Sequence, residues 1–518
     1  MQPKDRALFA REASYVTSGW LYLRGLGLIS LIAFLSSWLQ ADALILEDGI
    51  LPAESTLNRL SEQAVSRQWS YWDLFTIAPS LFWLGCSDLI LNLTCGAGCL
   101  ASILVLLNLW TGPALLLCWI LYLSLVAVSQ VFFNYQWDAL LIEALFMALF
   151  VAPWGQSSRN WRWLPTTYQP SYLAWTLQRF LLFKLILLSG LVKLWSNDAP
   201  WYELSAVQYH YWTQPIPNVI SYWAHGLPEW LHQTSCAAVL FIEVGTIWLV
   251  FFGPRLRKIA FVSQLFLQLM ILLTGTFGFF NLLTAVLCLS ALDDRLLPRW
   301  LSPQSHLTAP SLSSDSRVQV HFPKLLRRMS VGLLIAMHIG TILGQAPYTI
   351  PAIEPVLESA TVLRPLRSLN SYGLFANMTE ERPEIIIEGS YDGVRWKPYS
   401  FSWKPGALNT APRWATPHMP RLDWQMWFAA LQGDCRRAPW YLRFLEKLLE
   451  ENPAVLGALE KNPFESGPPR YIRSTLYQYR FTNALERTAY DNYWHRSLPQ
   501  AYCPTVELVE GELQQVGL

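Results

Sequence analysis

The sequence predicts a mainly α-helical, polytopic membrane helix bundle with a C-terminal, β-rich domain outside the membrane. Three observations support this fold class. Of the 518 residues, 53% are hydrophobic and only 14% are charged, whereas charged residues make up about a quarter of ordinary soluble domains. Long apolar segments fill the first two thirds of the chain. From about residue 347, apolar and polar residues alternate instead, which is typical of strands.

The apolar segments predict about nine membrane spans, because a transmembrane helix needs about 20 mostly apolar residues. The segments lie at roughly 18–39, 88–109, 113–133, 136–153, 173–194, 235–253, 257–275, 277–292 and 328–346. The fourth and eighth are short, so we expect tilted or incomplete spans there. A further amphipathic helix is expected within 44–72, on the outer membrane surface.

Lysine and arginine predict the orientation, because cytosolic loops of membrane proteins are enriched in them. Lys4, Arg6 and Arg11 place the N-terminus in the cytosol, whereas the loop at 195–234 has no Lys or Arg and falls outside. Nine spans then put the C-terminal domain outside too. We therefore divide the chain into a multi-span membrane domain, 1–346, and a periplasmic or lumenal domain, 347–518.

The C-terminal domain is predicted to have a β core with an inserted helical hairpin. Its expected elements are strands at 384–388 and 395–401 joined by a turn at Asp392-Gly393, helices at 421–433 and 438–460, and a strand at 470–482. Cys435 and Cys503 can pair if this domain faces an oxidising compartment. The sequence leaves that pairing open.

The chain is organised around residues 180–217, where an apolar helix with Lys184 and Lys193 precedes an aromatic segment that we expect to be non-helical. Ionisable groups within membrane-length apolar runs usually face the bundle interior or a polar cavity. The favoured interpretation is an ion pair of Glu243 with Lys193 or Lys184 that holds helices in register. The alternative is a polar cavity lined by Lys193, Glu243, Asp138 and the loop at 198–225, in which a neutral lysine acts as a base.

Composition and motifs exclude several functions. The net charge is +1 without a basic stripe, so we expect no nucleic acid partner. The common hydrolase, metalloprotease, P-loop and thiol-redox motifs are absent from the sequence. The histidines at 210, 225 and 232 match no zinc spacing. We predict no metal and no cofactor, and leave open whether the chain is an enzyme.

Several segments together resemble the lipase maturation factor family. They are NYQWDALLIEALFMALFVAP (134–153), LLFKLILLSGLVKLWSNDAPW (181–201), YHYWTQPIPN (209–218), AHGLPEWLH (224–232), LTGTFGFFNLLT (273–284), GLFANMTEERPEIIIEGSYDGVRW (373–396) and KPGALNTAPRWATPHMPRLDWQMWFAAL (404–431). They run in the family's order from about residue 18 to 485.

The resemblance implies a membrane-embedded maturation factor whose external domain handles exported client proteins. The animal members reside in the endoplasmic reticulum and help dimeric lipases to fold and leave. The partners expected here are the lipid bilayer and an exported client, with a lipase as the first candidate. We favour a bacterial inner membrane, with the endoplasmic reticulum membrane as the alternative. The sequence does not predict the oligomeric state.

A second resemblance, carried by SGLVKL (189–194), is to vitamin K-dependent carboxylase-like membrane proteins. It implies a catalytic Lys193 and an alternative function, an intramembrane lysine-dependent enzyme that acts on a lipid, a quinone or a protein.

The predicted client- or substrate-binding residues are Trp137, Asp138, Glu243, Asp198, Trp201, His210, Tyr211, Gln214, His225, Asn281, Arg421, Asp423 and Trp424.

Overall fold

A computed structural model describes residues 14–154, 168–298, 300–301, 324–346 and 351–517. Helices dominate the part before residue 362. They are α1 (Val16–Leu44), α2 (Ala53–Arg67), α3 (Tyr71–Ile77), α4 (Asp88–Leu106), α5 (Thr111–Val128), α6 (Gln136–Ala148), α7 (Tyr172–Trp195), α8 (Ala199–Tyr202), α9 (Ala206–Thr213), α10 (Val219–His225), α11 (Glu229–Leu240), α12 (Pro254–Thr274), α13 (Phe280–Cys288), α14 (Lys324–Leu343) and α15 (Glu354–Thr361).

Five helical stretches are long and apolar enough to cross a membrane. They are Val16–Leu44, Asp88–Leu106, Thr111–Val128, Glu229–Phe251 and Pro254–Thr274. These stretches confirm a mainly helical membrane protein. α7 has the length of a span but carries three cations, whereas α6 and α13 are short, as the sequence predicts. The number of nine spans and their orientation stay predictions.

The candidate spans divide into a central group and a peripheral pair. Of an 18-residue apolar stretch within each helix, 61% is buried in α1 and 67% is buried in α5. In the hairpin of Glu229–Phe251 and Pro254–Thr274, the buried shares are 33% and 28%. α1 packs closely on α4, because a Cβ added at Gly98 would lie 2.3 Å from the Phe34 ring. The hairpin therefore lies at the edge of the bundle, and we expect its exposed apolar side chains to face lipid.

The helix that begins with α11 changes its winding near Glu243. After Leu240 it passes through one π turn at Phe241–Gly245 and continues as a 3-10 helix over Thr246–Phe251. Single π turns within helices are frequent at functional sites. The turn places Glu243 and Val244 against α7, where a Cβ at Gly190 would lie within 2.9 Å of both side chains.

The expectation of a non-helical segment after α7 is wrong. Residues 199–225 form the short helices α8, α9 and α10. Prolines at 200, 215, 217 and 228 confine each helix to one or two turns, because proline breaks the backbone ladder. A capping box built on Asn218 and Ser221 starts α10.

The C-terminal part is a five-stranded antiparallel sheet with helices against it. The strands pair in the order β2-β1-β3-β4-β5. Their bounds are β1 (Arg382–Ser390), β2 (Lys397–Pro398), β3 (Tyr471–Phe481), β4 (Trp494–Val509) and β5 (Glu512–Gln515), with helices α16 (Arg421–Gln432), α17 (Pro439–Leu449), α18 (Pro453–Gly457) and α19 (Ala484–Tyr490). This confirms a C-terminal β-rich region.

Several predicted bounds in this part need correction. The second predicted strand shortens to the two residues of β2, paired at Glu388↔Pro398. The helix expected at 438–460 is two helices, because Asn452 caps a new helix that begins at Pro453.

A disulfide joins Cys435, beside α16, to Cys503 in β4. It ties the helical insert to the sheet across a separation of 68 residues.

Candidate junction between the membrane helices and the C-terminal domain

Two carboxylates of α6 anchor the C-terminal part to the membrane helices. Asp138 and Arg421 are both 0% exposed, and the guanidinium binds the carboxylate with two hydrogen bonds of 2.7 and 3.0 Å. Tyr122 donates to the same carboxylate at 2.6 Å, and Arg421 also donates to the Phe132 carbonyl at 2.7 Å. Bidentate arginine–carboxylate pairs are strong and geometrically specific.

Glu143, one turn and a half further along α6, forms the second contact. Lys184 of α7 lies 2.5 Å from one carboxylate oxygen, and neither side chain is exposed. The other oxygen accepts hydrogen bonds from the Tyr372 hydroxyl at 2.6 Å and from the backbone N–H of Asn370 at 3.1 Å. A fully buried charge is tolerated when it is paired and hydrogen-bonded. Glu143 therefore joins α7 and the segment that precedes β1.

Lys193 and Glu243 form a separate pair near the far end of α7. The two groups lie 2.6 Å apart, and the ammonium also donates to the Ser189 carbonyl at 3.0 Å. The ammonium lies 5.2 Å from the centre of the Trp201 ring. This confirms the predicted ion pair of Glu243 with a lysine of α7. Asp138, which the cavity alternative placed beside Lys193, is bound to Arg421 instead.

Hydrogen bonds between side chains and backbone groups fasten the segment 198–215 to the C-terminal part. Asp198 accepts from the backbone N–H of Met378 at 2.9 Å, and Trp201 donates to the Phe375 carbonyl at 2.9 Å. Arg382 of β1 donates to the carbonyls of residues 212, 214 and 215. Its charge is balanced by Glu384, 2.6 Å away, which Lys404 also approaches to 3.1 Å.

Aromatic rings fill the space between these polar contacts. Trp137 of α6 meets the Trp424 ring of α16 edge-on, with centroids 5.0 Å apart. Phe277 packs on Trp424 at 5.8 Å and on Phe375 at 5.6 Å. The His210 ring is packed between Phe277 and Phe375, and burial together with the nearby Lys193 lowers its pKa to about 4. His210 is therefore neutral near pH 7.

The remaining predicted residues hold local structure. Gln214 donates to the Thr274 carbonyl at 2.8 Å, and Asn281 donates to Gln268 at 2.8 Å. Tyr211 packs on His232, and His225 contacts the Gln208 carbonyl. Asp423 accepts from the backbone N–H groups of residues 403 and 404, both at 2.9 Å. Burial raises the pKa of Asp423 to about 6.

Most of the predicted site residues are buried and so do not reach the protein surface. All thirteen predicted binding residues were expected to contact a client or substrate, yet ten of them are buried, as is Lys193. The buried ones are Trp137, Asp138, Lys193, Trp201, Tyr211, Gln214, Glu243, Asn281, Arg421, Asp423 and Trp424, whereas Asp198, His210 and His225 are half-buried. Direct client contact by these residues stays a prediction, and their geometry favours a positioning role.

Sequence reasoning missed the residues that complete the junction. Tyr372, Asn370 and Arg382 bind groups of the membrane part but were not predicted as functional. The sequence did contain a signal for Arg382. This arginine lies two residues before Glu384, and residues two apart in a strand lie on the same face of the sheet, where opposite charges can pair. Within the described ranges, no group of three or more His, Cys, Asp or Glu side chains is placed to hold a metal ion.

The comparisons with known proteins agree with this architecture. The family model for the lipase maturation factor transmembrane domain matches residues 17–299, and the one for the lipase maturation factor C-terminal domain matches residues 368–504. No solved structure matches the chain.

Curated relatives match over nearly the whole chain. Lipase maturation factor 2 of Xenopus laevis is 33% identical across 96% of this chain and 84% of its own length. The Gallus gallus protein of the same name is 34% identical, across 96% and 83%. Lipase maturation factor 1 of Mus musculus is 33% identical, across 98% and 90%. The chain belongs to the lipase maturation factor family.

Proposed function

We propose that this protein is a membrane-embedded maturation factor for exported lipases. The observation that carries the proposal is family membership over both the membrane part and the C-terminal part. The names of the relatives describe proteins that mature lipases. A maturation factor requires no turnover of a substrate, and no described feature favours the lysine-dependent enzyme. The Lys193 Nζ is engaged by the Glu243 carboxylate at 2.6 Å and by the Ser189 carbonyl at 3.0 Å.

The proposal divides the work between two domains, 1–346 in the membrane and 347–518 outside it. In this scheme the buried junction positions the C-terminal domain, and the client contacts exposed side chains. Candidates for the contact lie on the external loop after α7, where Tyr202 and Trp223 are 56% and 65% exposed. Aromatic side chains offer large apolar contact areas to unfinished protein surfaces.

The orientation and the membrane are also part of the proposal. We propose a cytosolic N-terminus and an external C-terminal domain. The Cys435–Cys503 disulfide supports this, because disulfides persist in the endoplasmic reticulum lumen and in the bacterial periplasm but not in the cytosol. The disulfide fits the bacterial inner membrane and the endoplasmic reticulum membrane equally. The animal relatives favour the second.

Co-expression with a dimeric lipase tests the function. The measurement is secreted lipase activity per amount of lipase polypeptide, in cells that lack their own maturation factor. The wild-type protein should raise this ratio, and an Asp138→Asn variant should raise it much less, because the C-terminal domain loses its anchor. The control is Asp491→Asn, which changes an exposed carboxylate of the C-terminal domain that lies outside the junction. A ratio that is the same with and without the wild-type protein would refute the proposal.

A second comparison tests the contact surface. Tyr202→Ser and Trp223→Ser should reduce capture of the co-expressed lipase without lowering the amount of folded protein. The matched control is Trp72→Ser, which removes an indole that is 70% exposed in another segment. Equal losses for all three variants would assign the effect to general surface polarity rather than to this loop.

A further inference from the structure

A short aromatic segment between α2 and α4 exposes apolar side chains outside the candidate membrane spans. It consists of α3 and a 3-10 turn at Leu81–Leu84, and we call residues 71–84 the aromatic segment. Its exposed apolar side chains are Tyr71, Trp72, Phe75, Ile77, Leu81 and Leu84. Single exposed apolar side chains are normal on a protein, whereas a group of this kind marks an interaction surface.

The local fold holds these side chains outward. A capping box of Ser70 and Asp73 starts α3, and Asp73 is the only charged side chain of the aromatic segment. Leu74 and Phe82 are buried and fix the segment to the protein. The Trp72 ring stays exposed and stacks on the ring of Phe75, with centroids 5.8 Å apart. The segment therefore presents a fixed apolar face rather than a collapsed one.

Contacts with α5 show how deep the aromatic segment lies. The Ser80 hydroxyl donates to the Ser124 carbonyl at 3.1 Å, and the backbone N–H of Leu81 donates to the Ser124 hydroxyl at 3.0 Å. Ser124 precedes the last residue of α5 by four positions, which is about 6 Å of helix. α5 is a candidate span of about 27 Å, no longer than the hydrocarbon core of about 30 Å. The 3-10 turn therefore lies beside the span, one helical turn inside its end.

The exposed apolar surface continues from the aromatic segment into α4. Leu89, Ile90 and Leu93, in the first two turns of α4, are also exposed. α4 is a candidate span in which only 44% of an 18-residue apolar stretch is buried, so we expect these leucines and the isoleucine to face lipid. Leu84 precedes Leu89 by five residues, so the lipid-facing surface of α4 extends along the chain onto the aromatic segment.

α2, the amphipathic helix that the sequence places on the membrane surface, does not offer such a face. Its Leu57 and Ala64 are buried against the protein. Its exposed side chains are polar or charged apart from Val65. α2 is therefore suited to water, and the apolar contact passes to the segment that follows it.

We propose that the aromatic segment lies in the interfacial layer of the bilayer and anchors the loop between α1 and α4 to lipid. Tyr71 and Trp72 suit the headgroup level, where amphipathic rings are enriched. Phe75, Leu81 and Leu84 suit the acyl chains beneath it. A client protein is the competing occupant, but the depth beside α5 and the continuity with α4 favour lipid.

Lipid photo-labelling of the full-length protein in nanodiscs tests the contact. The discs contain phosphatidylcholine and a small fraction of phosphatidylcholine with a diazirine on its acyl chain, and labelled peptides are identified by mass spectrometry after illumination. We expect label on residues 71–84 as well as 89–93, at least about tenfold above residues 484–490, since burial of one large apolar side chain favours the lipid by that factor. Residues 484–490 form α19 and expose Leu485 and Tyr490 in the C-terminal domain, so they control for exposure alone.

Two outcomes of the labelling overturn the proposal, and neither needs a variant. The first is label on residues 71–84 that does not exceed the label on residues 484–490. The second is a cross-link from residues 71–84 to a co-purified lipase without lipid label, which would assign the surface to a client.

Variants locate the contact within the segment. Trp72→Asp combined with Phe75→Asp should reduce the label on residues 71–84 at least about tenfold, because each charge opposes transfer of the segment into lipid. The label on residues 89–93 should not change, which also reports that the membrane helices are folded. The matched control is Val65→Asp, an exposed apolar position on α2, which should leave both labels unchanged. Unchanged label on residues 71–84 in the folded double variant would refute the inference.

Discussion

Helix α6 and the peripheral stretch Glu229–Phe251 both carry carboxylates into the membrane part, with different structural consequences. Asp138 and Glu143 are 0% exposed, and each binds groups from residues after 367 as well as from the membrane helices. Glu243 is 6% exposed and is bound by Lys193 of α7. The carboxylates of α6 therefore join the two parts of the protein, whereas Glu243 joins two helices within one part.

The comparison explains why a membrane protein retains such costly groups. A buried ion pair adds little net stability over an apolar pair, but removal of one partner leaves an uncompensated charge. Such a pair selects one arrangement of its elements against others. At α6 that selection fixes where the C-terminal sheet sits relative to the helices. At Glu243 it fixes only the register of the peripheral hairpin against α7.

The largest effect is expected from breaking the junction at Asp138. Asp138→Asn leaves the Arg421 guanidinium buried without an anion, and we expect a loss of about 3–5 kcal/mol in the free energy of unfolding. The measurement is thermal unfolding in detergent, with limited proteolysis between residues 351 and 382 as a local probe. Proteolysis should accelerate because the C-terminal part is no longer fixed to α6.

A double variant separates the loss of charge from the loss of shape. Asp138→Asn combined with Arg421→Met removes both charges, so much of the stability should return. The exposed pair of Asp434 and Arg436 provides the control, since exposed pairs contribute little. If Asp138→Asn alone costs less than about 1 kcal/mol, Asp138 and Arg421 do not fix the C-terminal domain, and α6 resembles the peripheral hairpin.

The sequence was sufficient to predict an ion pair in the peripheral hairpin, but it was insufficient to predict the pair that joins α6 to the C-terminal part. A carboxylate at mid-depth of an apolar helix needs a cation, so elementary electrostatics predicts a pair of Glu243 with Lys184 or Lys193 of α7. The structure shows that the partner is Lys193. The partner of Asp138 lies 283 residues away in another domain. No periodicity connects α6 to α16, so the pair could not be predicted, even though both residues were among the predicted binding residues.

The same limit explains the misjudged loop after α7. Its aromatic composition indicated a membrane interface, and we expected it to be non-helical. Whether the residues between the prolines form helical turns depends on tertiary partners such as Arg382, which binds three carbonyls there.

The strand β4 was also missed by the sequence analysis, because its pairing with β3 contains several register shifts that disturb the alternation.

The disulfide tests whether the C-terminal domain has an interior of its own. Cys435→Ser with Cys503→Ser should lower the free energy of unfolding by about 2–4 kcal/mol, because the crosslink closes a long loop in the unfolded chain. The unfolding transition of the C-terminal domain should move, while proteolysis between residues 351 and 382 stays slow. Alkylation of the wild-type protein without reductant, followed by mass spectrometry, should label neither cysteine. Labelling of both would contradict an oxidising location.

Glu243→Gln should produce a smaller and more local effect. Lys193 loses its carboxylate but keeps the Ser189 carbonyl, so we expect a loss of about 1–3 kcal/mol. Hydrogen exchange should accelerate in residues 229–274 and stay unchanged in residues 382–509. The matched control is Glu229→Gln, an exposed change on the same helix. Faster exchange in the C-terminal sheet would show that the peripheral pair also supports the junction, which would remove the contrast with α6.

The smallest effect concerns Asp423, a carboxylate in the first turn of α16 that accepts hydrogen bonds from the backbone N–H groups of residues 403 and 404. Burial raises its pKa to about 6, against about 3.9 in an unfolded chain. Between these values the folded protein binds more protons than the unfolded one, so this carboxyl contributes stability at low pH that is lost as the pH rises from about 4 to about 6.

Asp423→Asn keeps an oxygen that accepts from the same two N–H groups, so it should remove this pH dependence and change stability by less than about 1 kcal/mol at pH 4.5. Unfolding midpoints between pH 4.5 and 7 for the wild type and the variant provide the measurement. Asp434→Asn is the control, because Arg436 lowers the pKa of Asp434 to about 2 and its titration lies below this window. A wild-type curve that runs parallel to the Asp423→Asn curve would mean that the buried carboxyl does not titrate there, and that only the α6 carboxylates link charge to the position of the C-terminal domain.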